Sequence, residues 1–311
     1  MDAFALGGVL YVGAALAVLP ATLRRPPSLF SLRRGGSRLA VAVVVGGALA
    51  PVLLAAGLAR TPAATASLLL NLELVATVLL AAAVFHEHIG SRVALGTMFV
   101  VSGGAVLAWS SSPELRLGAF LVIAACACWA VDNCVTAELD ELAPHHITMA
   151  KGVVAGVANL AIGLIVASAP SIGSIVAGLV IGALGYGLSI TLWVAGARDL
   201  GAARAQLIFA VAPFVGAAAA WVVLGERVTL AQAIAVTLAA LGVASVMGSA
   251  HLHEHRHEAA EHDHEHVHDD AHHDHVHSEL GTARHQHPHR HRMLVHSHPH
   301  VPDLHHRHEH D

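Results

Sequence analysis

The sequence predicts an all-α polytopic membrane protein, with nine transmembrane helices in two inverted repeats of four and five and a disordered histidine-rich tail. Three observations carry this expectation. The chain is 55% hydrophobic and only 13% charged, with mean hydropathy +0.61, whereas a soluble domain carries about 25% charged residues. Its apolar residues fall into runs of the length a helix needs to cross a hydrocarbon core about 30 Å thick. Near Gly248 the apolar body gives way to a polar extension that holds 23 of the 27 histidines.

Taken in order, the apolar runs are 3–20, 39–59, 63–85, 93–109, 117–137, 147–168, 173–196, 203–224 and 229–248. The first has Asp2 in front of it and Arg24 and Arg25 behind it. That polarity is wrong for a cleaved signal, so the run is read as a retained helix. Orientation follows from Lys and Arg in the short loops, which stay on the cytoplasmic side. Placing Arg24, Arg25, Arg33, Arg34 and Arg38 inside also puts Arg92, Lys151, Arg198 and Arg204 inside, leaving Arg60, Arg116 and Arg227 outside. The N-terminus is then expected outside, and the tail in the cytoplasm of a cell with this protein in its inner membrane.

Glu87 aligned with Glu226, an offset of 139, brings HEHIGSRVALGTMFVVSGGAVLAW onto GERVTLAQAIAVTLAALGVASVM without a gap, with Gly103 on Gly242. Upstream, NLELVATVLLAAAVF falls on AVAPFVGAAAAWVVL. This reads as an internal duplication, with a first repeat over 1–110, a second over 117–248 and a tail over 249–311. A repeat unit of five helices would leave the two copies oppositely oriented in the membrane.

Several stretches carry a family likeness: CWAVDN at 128–133, AKGVVAGVANL at 150–160, LGYGLSITLWVAGARDLGAARAQLIFAVAPFVGA at 184–217 and LGE at 224–226. They resemble the drug/metabolite transporter superfamily, EamA type. The resemblance covers essentially 1–248. It implies ten helices in two inverted five-helix repeats with both ends in the cytoplasm. The sequence starts where the second helix of that pattern starts, so the first helix is expected to be absent.

Of the charged residues in the body, only Glu73 and Asp132 fall well inside spans, and a charge there is costly and marks function by default. Glu73, next to Asn71 and close to the midplane, is the coupling candidate, because a carboxyl taken out of water can trade its proton for a substrate or cation. The blander reading is a carboxyl hydrogen-bonded to a neighbouring helix. Asp132 and Asn133 sit near one end of their span and Lys151 at the adjoining end of the next, so an ion pair is expected there, structural or gating. Asn159, Tyr186, Ser189, Thr191, Trp193 and Gln206 offer neutral donors and acceptors for a polar cavity or for helix contacts, and Gly185 and Gly187 permit close approach. Pro213 marks an expected bend. Glu87 and Glu226 are read as structural, capping a helix start or pairing with Arg92 or Arg227. Cys126, Cys128 and Cys134 are read as packing residues without disulfide or metal spacing.

The tail has no apolar periodicity and contains Pro288, Pro299 and Pro302, which predicts disorder. Imidazole suits Ni²⁺, Zn²⁺, Co²⁺ and Cu²⁺. His-x-His pairs such as His253/His255, His264/His266 and His275/His277 supply two nitrogens from an extended segment, and His262/His266 and His264/His268 do so from a helix. With His257, His272 and His273 these form the expected transition-metal ligands, supported by Asp263, Glu265 and Asp274. No cofactor is required otherwise.

His86, Glu87 and His88 lack the four-residue spacing of a zinc protease. No nucleophile elbow, phosphate loop or dinucleotide fingerprint accompanies them, and no soluble stretch is large enough to house an enzyme. The expected function is therefore secondary transport of a small solute by alternating access, without enzymatic activity. The rivals are a Ni²⁺/Co²⁺/Zn²⁺ permease and a membrane-anchored metal buffer or sensor. The expected partners are the bilayer, a small-molecule or ion substrate and transition metals, with no nucleic acid; small-residue helix faces also permit a homodimer.

Overall fold

In the computed structural model, residues 1–85, 90–109, 113–137, 139, 142–200, 209–247, 251–257, 261–266, 285–290 and 294–300 are described. The chain divides into a helical unit over Met1–Ser249 and a tail unit over Ala250–Val301.

The helical unit begins with α1 (Ala3–Arg24), whose start is capped by Asp2: its carboxylate accepts from Phe4 N at 2.8 Å and Ala5 N at 3.2 Å. After a short helix α2 (Leu29–Arg34), α3 runs over Gly36–Leu58. Next come α4 (Ala63–Leu69), α5 (Leu72–Phe85), α6 (Ser91–Ala108), α7 (Pro113–Ala137) and α8 (Pro144–Val166). The ninth helix, α9, is built from Ile172–Gly182, Ala183–Leu188 and Ser189–Leu200, and α10 (Ala212–Val223) and α11 (Leu230–Met247) complete the unit. Among the described residues, seven helices are long and apolar enough to cross a membrane, and the stretches 212–223 and 230–245 form shorter apolar helices. The expected span 203–224 begins in residues outside the described ones. Large apolar side chains such as Ile165 (82% exposed) and Val222 (83%) stand on the outside of the unit, where only lipid can cover them without cost.

α1 is the central helix, packing against α3, α8 and α9. Glycines make this possible. A Cβ on Gly156 of α8 would come within 2.9 Å of Val12 N, and one on Gly182 of α9 would overlap the Leu10 carbonyl oxygen. Gly152 and Gly156 on α8, and Gly178 and Gly182 on α9, lie four residues apart, so each pair forms one groove that admits the α1 backbone.

Three helices contain stretches wound as π-helix: Ala42–Leu49 in α3, Lys151–Ala155 in α8 and Ala183–Leu188 in α9. Such windings free backbone carbonyls for other partners and recur at functional sites. A fourth irregularity separates α4 from α5. There Leu70 N and Asn71 N bond to Ser67 O and Leu68 O in tight turns, and Asn71 Nδ2 also donates to Leu68 O at 3.1 Å. An asparagine amide competing for a backbone carbonyl in this way interrupts a helix. Before α10 the chain turns again at Ala210 and Val211, followed by Pro213, which has no N–H to give.

The 139-residue offset recurs in these elements. α6 and α11 start and end 139 residues apart and pack on each other, with Gly103 against Ala235 and Gly242 against Val100. The π stretch of α3 overlaps that of α9 at the same offset, and the two helix breaks lie within one residue of it.

Glu226 acts as the structural residue expected of it, on a more distant partner than Arg227. Gly225, at φ 68°, closes α10 in the left-handed conformation that favours glycine, with Glu226 N bonding to Ala220 O. This swings the Glu226 carboxylate onto the start of α4, where it accepts from Ala63 N at 2.7 Å and Ala64 N at 3.0 Å. Glu226→Ala is expected to lower stability by about 1–2 kcal/mol through loss of this cap, read as the unfolding midpoint in detergent. Thr229 and Gln232 form a capping box at the start of α11, and Gln232 Nε2 also reaches Thr65 Oγ1 at 2.9 Å. Glu87 lies outside the described residues.

The tail departs from the expected disorder. Strand β1 (His251–His257) pairs antiparallel with β4 (Leu294–His300), and β2 (Glu261–His266) with β3 (His285–Arg290). The alternation that produces His-x-His spacing is also the two-residue period of a strand, so backbone ladders can form here without an apolar core.

Candidate functional site

A cavity of about 280 Å³ lies within the helical unit, where the two breaks meet. Ser67, at the end of α4, donates through Oγ to Pro213 O at 2.8 Å, so the interrupted helices touch at their irregular points. Asn71, Glu73, Ala210, Ala212 and Pro213 line the cavity from these breaks.

Two polar clusters share α7. Asp132 pairs with Lys151 of α8, with Lys151 Nζ 2.6 Å from Asp132 Oδ2, and Thr136 Oγ1 donates to Asp132 Oδ1 at 3.1 Å. Both charged side chains are nearly fully buried. The adjoining Asn133 turns the other way and donates through Nδ2 to Glu73 Oε1 at 2.8 Å. Consecutive residues of one helix thus hold the ion pair and the coupling candidate, and any displacement of α7 moves both.

The π stretches explain why the charges fit. Gly46, within the π segment of α3, lies so close to Asp132 that a Cβ there would overlap the carboxyl group. Its carbonyl accepts from Tyr11 OH at 3.0 Å. Lys151 opens the π segment of α8, and Tyr186, within that of α9, packs its ring 5.2 Å from the ring of Tyr11 at a 57° tilt. Both tyrosines of the chain therefore face the same chamber.

Of the residues singled out from sequence, Glu73, Asn71, Asp132, Asn133, Lys151 and Tyr186 line this one cavity, with Ser189, Trp193, Gly185 and Pro213. Asn159 stands apart: its Nδ2 donates to Ala48 O at 2.9 Å, satisfying a carbonyl of the α3 π segment from a neighbouring helix. Thr191 likewise bonds Gly187 O and Thr148 Oγ1. Gln206 lies outside the described residues. Sequence reasoning missed Tyr11, Ser67, Trp129 and Thr136, all of which line the cavity. The rarity of tyrosine was the available signal for Tyr11. Trp129 stands within CWAVDN, and Thr136 lies one turn beyond Asp132.

Among the described residues no group of three or more His, Cys, Asp or Glu side chains is placed to hold a metal. None of the three cysteines forms a disulfide, and Cys126 and Cys134 are buried. His268, His272, His273, His275 and His277 fall outside the described residues.

Long apolar helices surround a cavity whose wall carries a few charged and polar side chains, and two of those helices are interrupted beside it. The model of the EamA-like transporter family matches residues 1–109 and 116–248. The chain belongs to that family. A protein of Methanothermobacter thermautotrophicus described as an uncharacterized transporter is 28% identical over 204 residues, which cover 63% of this chain and 60% of that protein. The chain thus spans about 60% of that relative's length. A solved crystal structure of a protein is similar in fold, with a TM-score of 0.56 at 20% identity over 79% of this chain and 87% of that one.

Proposed function

We propose that the chain is a secondary transporter of the cell membrane that carries a small solute through this cavity by alternating access between two inverted repeats. The observation that carries the reading is the cavity itself, with Glu73, Asp132 and Lys151 gathered where two interrupted helices cross. The 139-residue correspondence of α6 with α11, of the two π stretches and of the two breaks supports the repeat. In this reading Glu73 couples transport to a proton or cation. The Asp132–Lys151 pair gates the cytoplasmic side, and the C-terminus is cytoplasmic.

The tail binds transition metal, Ni²⁺, Zn²⁺ or Co²⁺, and regulates or buffers rather than forming the pathway. The ladder register supports this, setting His262, His264 and His266 opposite His289, His287 and His285, and His253 and His255 opposite His298 and His296. These partners from the second half of the tail were not among the ligands expected from sequence.

The test is flux in proteoliposomes. Glu73→Gln is expected to lower solute flux by about 5–150-fold, the usual size of a coupling between two ligands. Deleting 249–311 is expected to abolish metal binding and leave flux in place. Flux insensitive to Glu73→Gln removes the coupling role. Ni²⁺ flux that vanishes with Glu73→Gln makes the chain a metal permease, and metal binding without any flux makes it a buffer.

A further inference from the structure

The two ladders of the tail set histidine opposite histidine, and in neither ladder does a histidine stand opposite an acid. His262, His264 and His266 of β2 pair with His289, His287 and His285 of β3, and His251, His253 and His255 of β1 pair with His300, His298 and His296 of β4. A slip of one residue in either direction would set Glu254, Asp263 and Glu265 opposite histidines instead. Opposite charges across a ladder stabilise it, and like charges destabilise it. A register that opposes imidazoles to one another therefore gains little until a cation joins them.

The spacing of the register suits such a cation. Alternate residues of a strand share a side and lie about 6.6 Å apart, and residues directly opposite lie about 4.5–5.5 Å apart. Two adjacent cross-strand pairs, such as His264/His287 and His266/His285, thus root four imidazoles at the corners of a small rectangle. Four-coordinate zinc, with Zn–N bonds of about 2.0–2.1 Å, needs its nitrogens about 3.4 Å apart, a separation that side chains rooted at those corners reach by leaning together. Among the described residues no such group is already gathered. The register supplies neighbouring backbones, and the metal draws the imidazoles in.

Resting on the metal-binding reading of the tail above, we infer that each ladder holds about one Zn²⁺ through imidazoles of both its strands. The binding unit is then the paired ladder rather than a His-x-His segment, and the metal clasps 251–266 to 285–300. Metal binding and strand pairing form one equilibrium, because the ligands come together only when the strands do. The zinc level around the tail thereby sets whether the tail is closed.

The experiment uses the full chain in nanodiscs with Zn²⁺ alone, and counts the tightly held zinc by equilibrium dialysis. One variant combines His262→Gln, His264→Gln and His266→Gln, a second combines His285→Gln, His287→Gln and His289→Gln, and a third carries all six changes. Each triple variant is expected to lose the same zinc, about one ion per chain, and the combined variant no more than either. Strands that bind independently would make the two losses add. Tryptic cleavage after Arg290 of β3 gives a second readout, since the first variant leaves that site unaltered. Zn²⁺ is expected to slow this cleavage about tenfold in the unaltered chain and to leave it unchanged in the β2 variant. Losses that add, no loss in either triple variant, or protection of Arg290 that survives removal of the β2 histidines each overturns the inference and leaves the tail a metal binder. No zinc held by the unaltered chain overturns the metal-binding reading itself, and this inference with it.

Discussion

Replacing Lys151 with Met is expected to destabilise the helical bundle by about 3–5 kcal/mol, because it leaves the Asp132 carboxylate buried without its counter-charge. The Lys151 side chain is 2% exposed and that of Asp132 8%, so water cannot take over the lost role. Thr136 Oγ1 satisfies one carboxylate oxygen, and the second, 2.6 Å from Lys151 Nζ, is the one orphaned. The double variant Asp132→Asn, Lys151→Met removes both charges and is expected to recover most of the loss, since the pair's attraction is largely offset by its desolvation. Unfolding midpoints of the three proteins in detergent check this. A single variant as stable as the unaltered chain would show that the pair contributes no structural restraint. The double variant also separates structure from function, since it restores the fold without restoring a gate that depends on charge.

Gly182→Val is the second large effect. A Cβ at this position would overlap the Leu10 carbonyl oxygen and lie 2.7 Å from Leu10 Cα, both backbone atoms of α1. Backbone cannot rotate away as a side chain can. α1 also has no room to retreat, because Cβ atoms on Gly152 and Gly156 of α8 would meet Tyr11 O at 2.6 Å and Val12 N at 2.9 Å on its other flank. The expected loss is about 3 kcal/mol, at the upper end of ordinary overpacking, accompanied by poor assembly. Gly173→Val is the control. It lies on the same helix with nothing within 4 Å of its Cβ, and it is expected to change stability by about 0.5 kcal/mol or less.

Much of this was legible before any coordinates. The apolar runs placed the long helices to within a few residues, because a helix in lipid must satisfy its own backbone and announces itself by length and composition. Glu73 and Asp132 stand out in the sequence for the opposite reason, since a charge within an apolar run is costly enough to be conspicuous, and Lys151 stands out as the partner Asp132 needs from the adjoining span. Glu226 reads from the sequence as a residue that caps a helix start or pairs with Arg227, and it caps, but on the start of α4, 162 and 163 residues away in sequence. Asn159 reads from the sequence as suited to a polar cavity or to a helix contact, and the fold puts its amide on Ala48 O of a neighbouring helix. Tyr11 was passed over because nothing in its own run distinguishes a cavity-facing tyrosine from one buried in helix packing. For the tail, the missing apolar periodicity and the prolines predict disorder, while its two-residue histidine period suits the strand ladders of β1 with β4 and β2 with β3.

The sequence by itself determined that this chain is a helical membrane protein, where most of its spans lie and which few charges lie within them, since each follows from the local cost of placing a group in hydrocarbon. Only the tertiary structure decided that the two breaks meet and that Asp132 and Asn133 serve different clusters. Those facts depend on which helices touch and at what rotation. The rotation is set by glycines and π-wound turns whose effect appears only when a second backbone comes within reach.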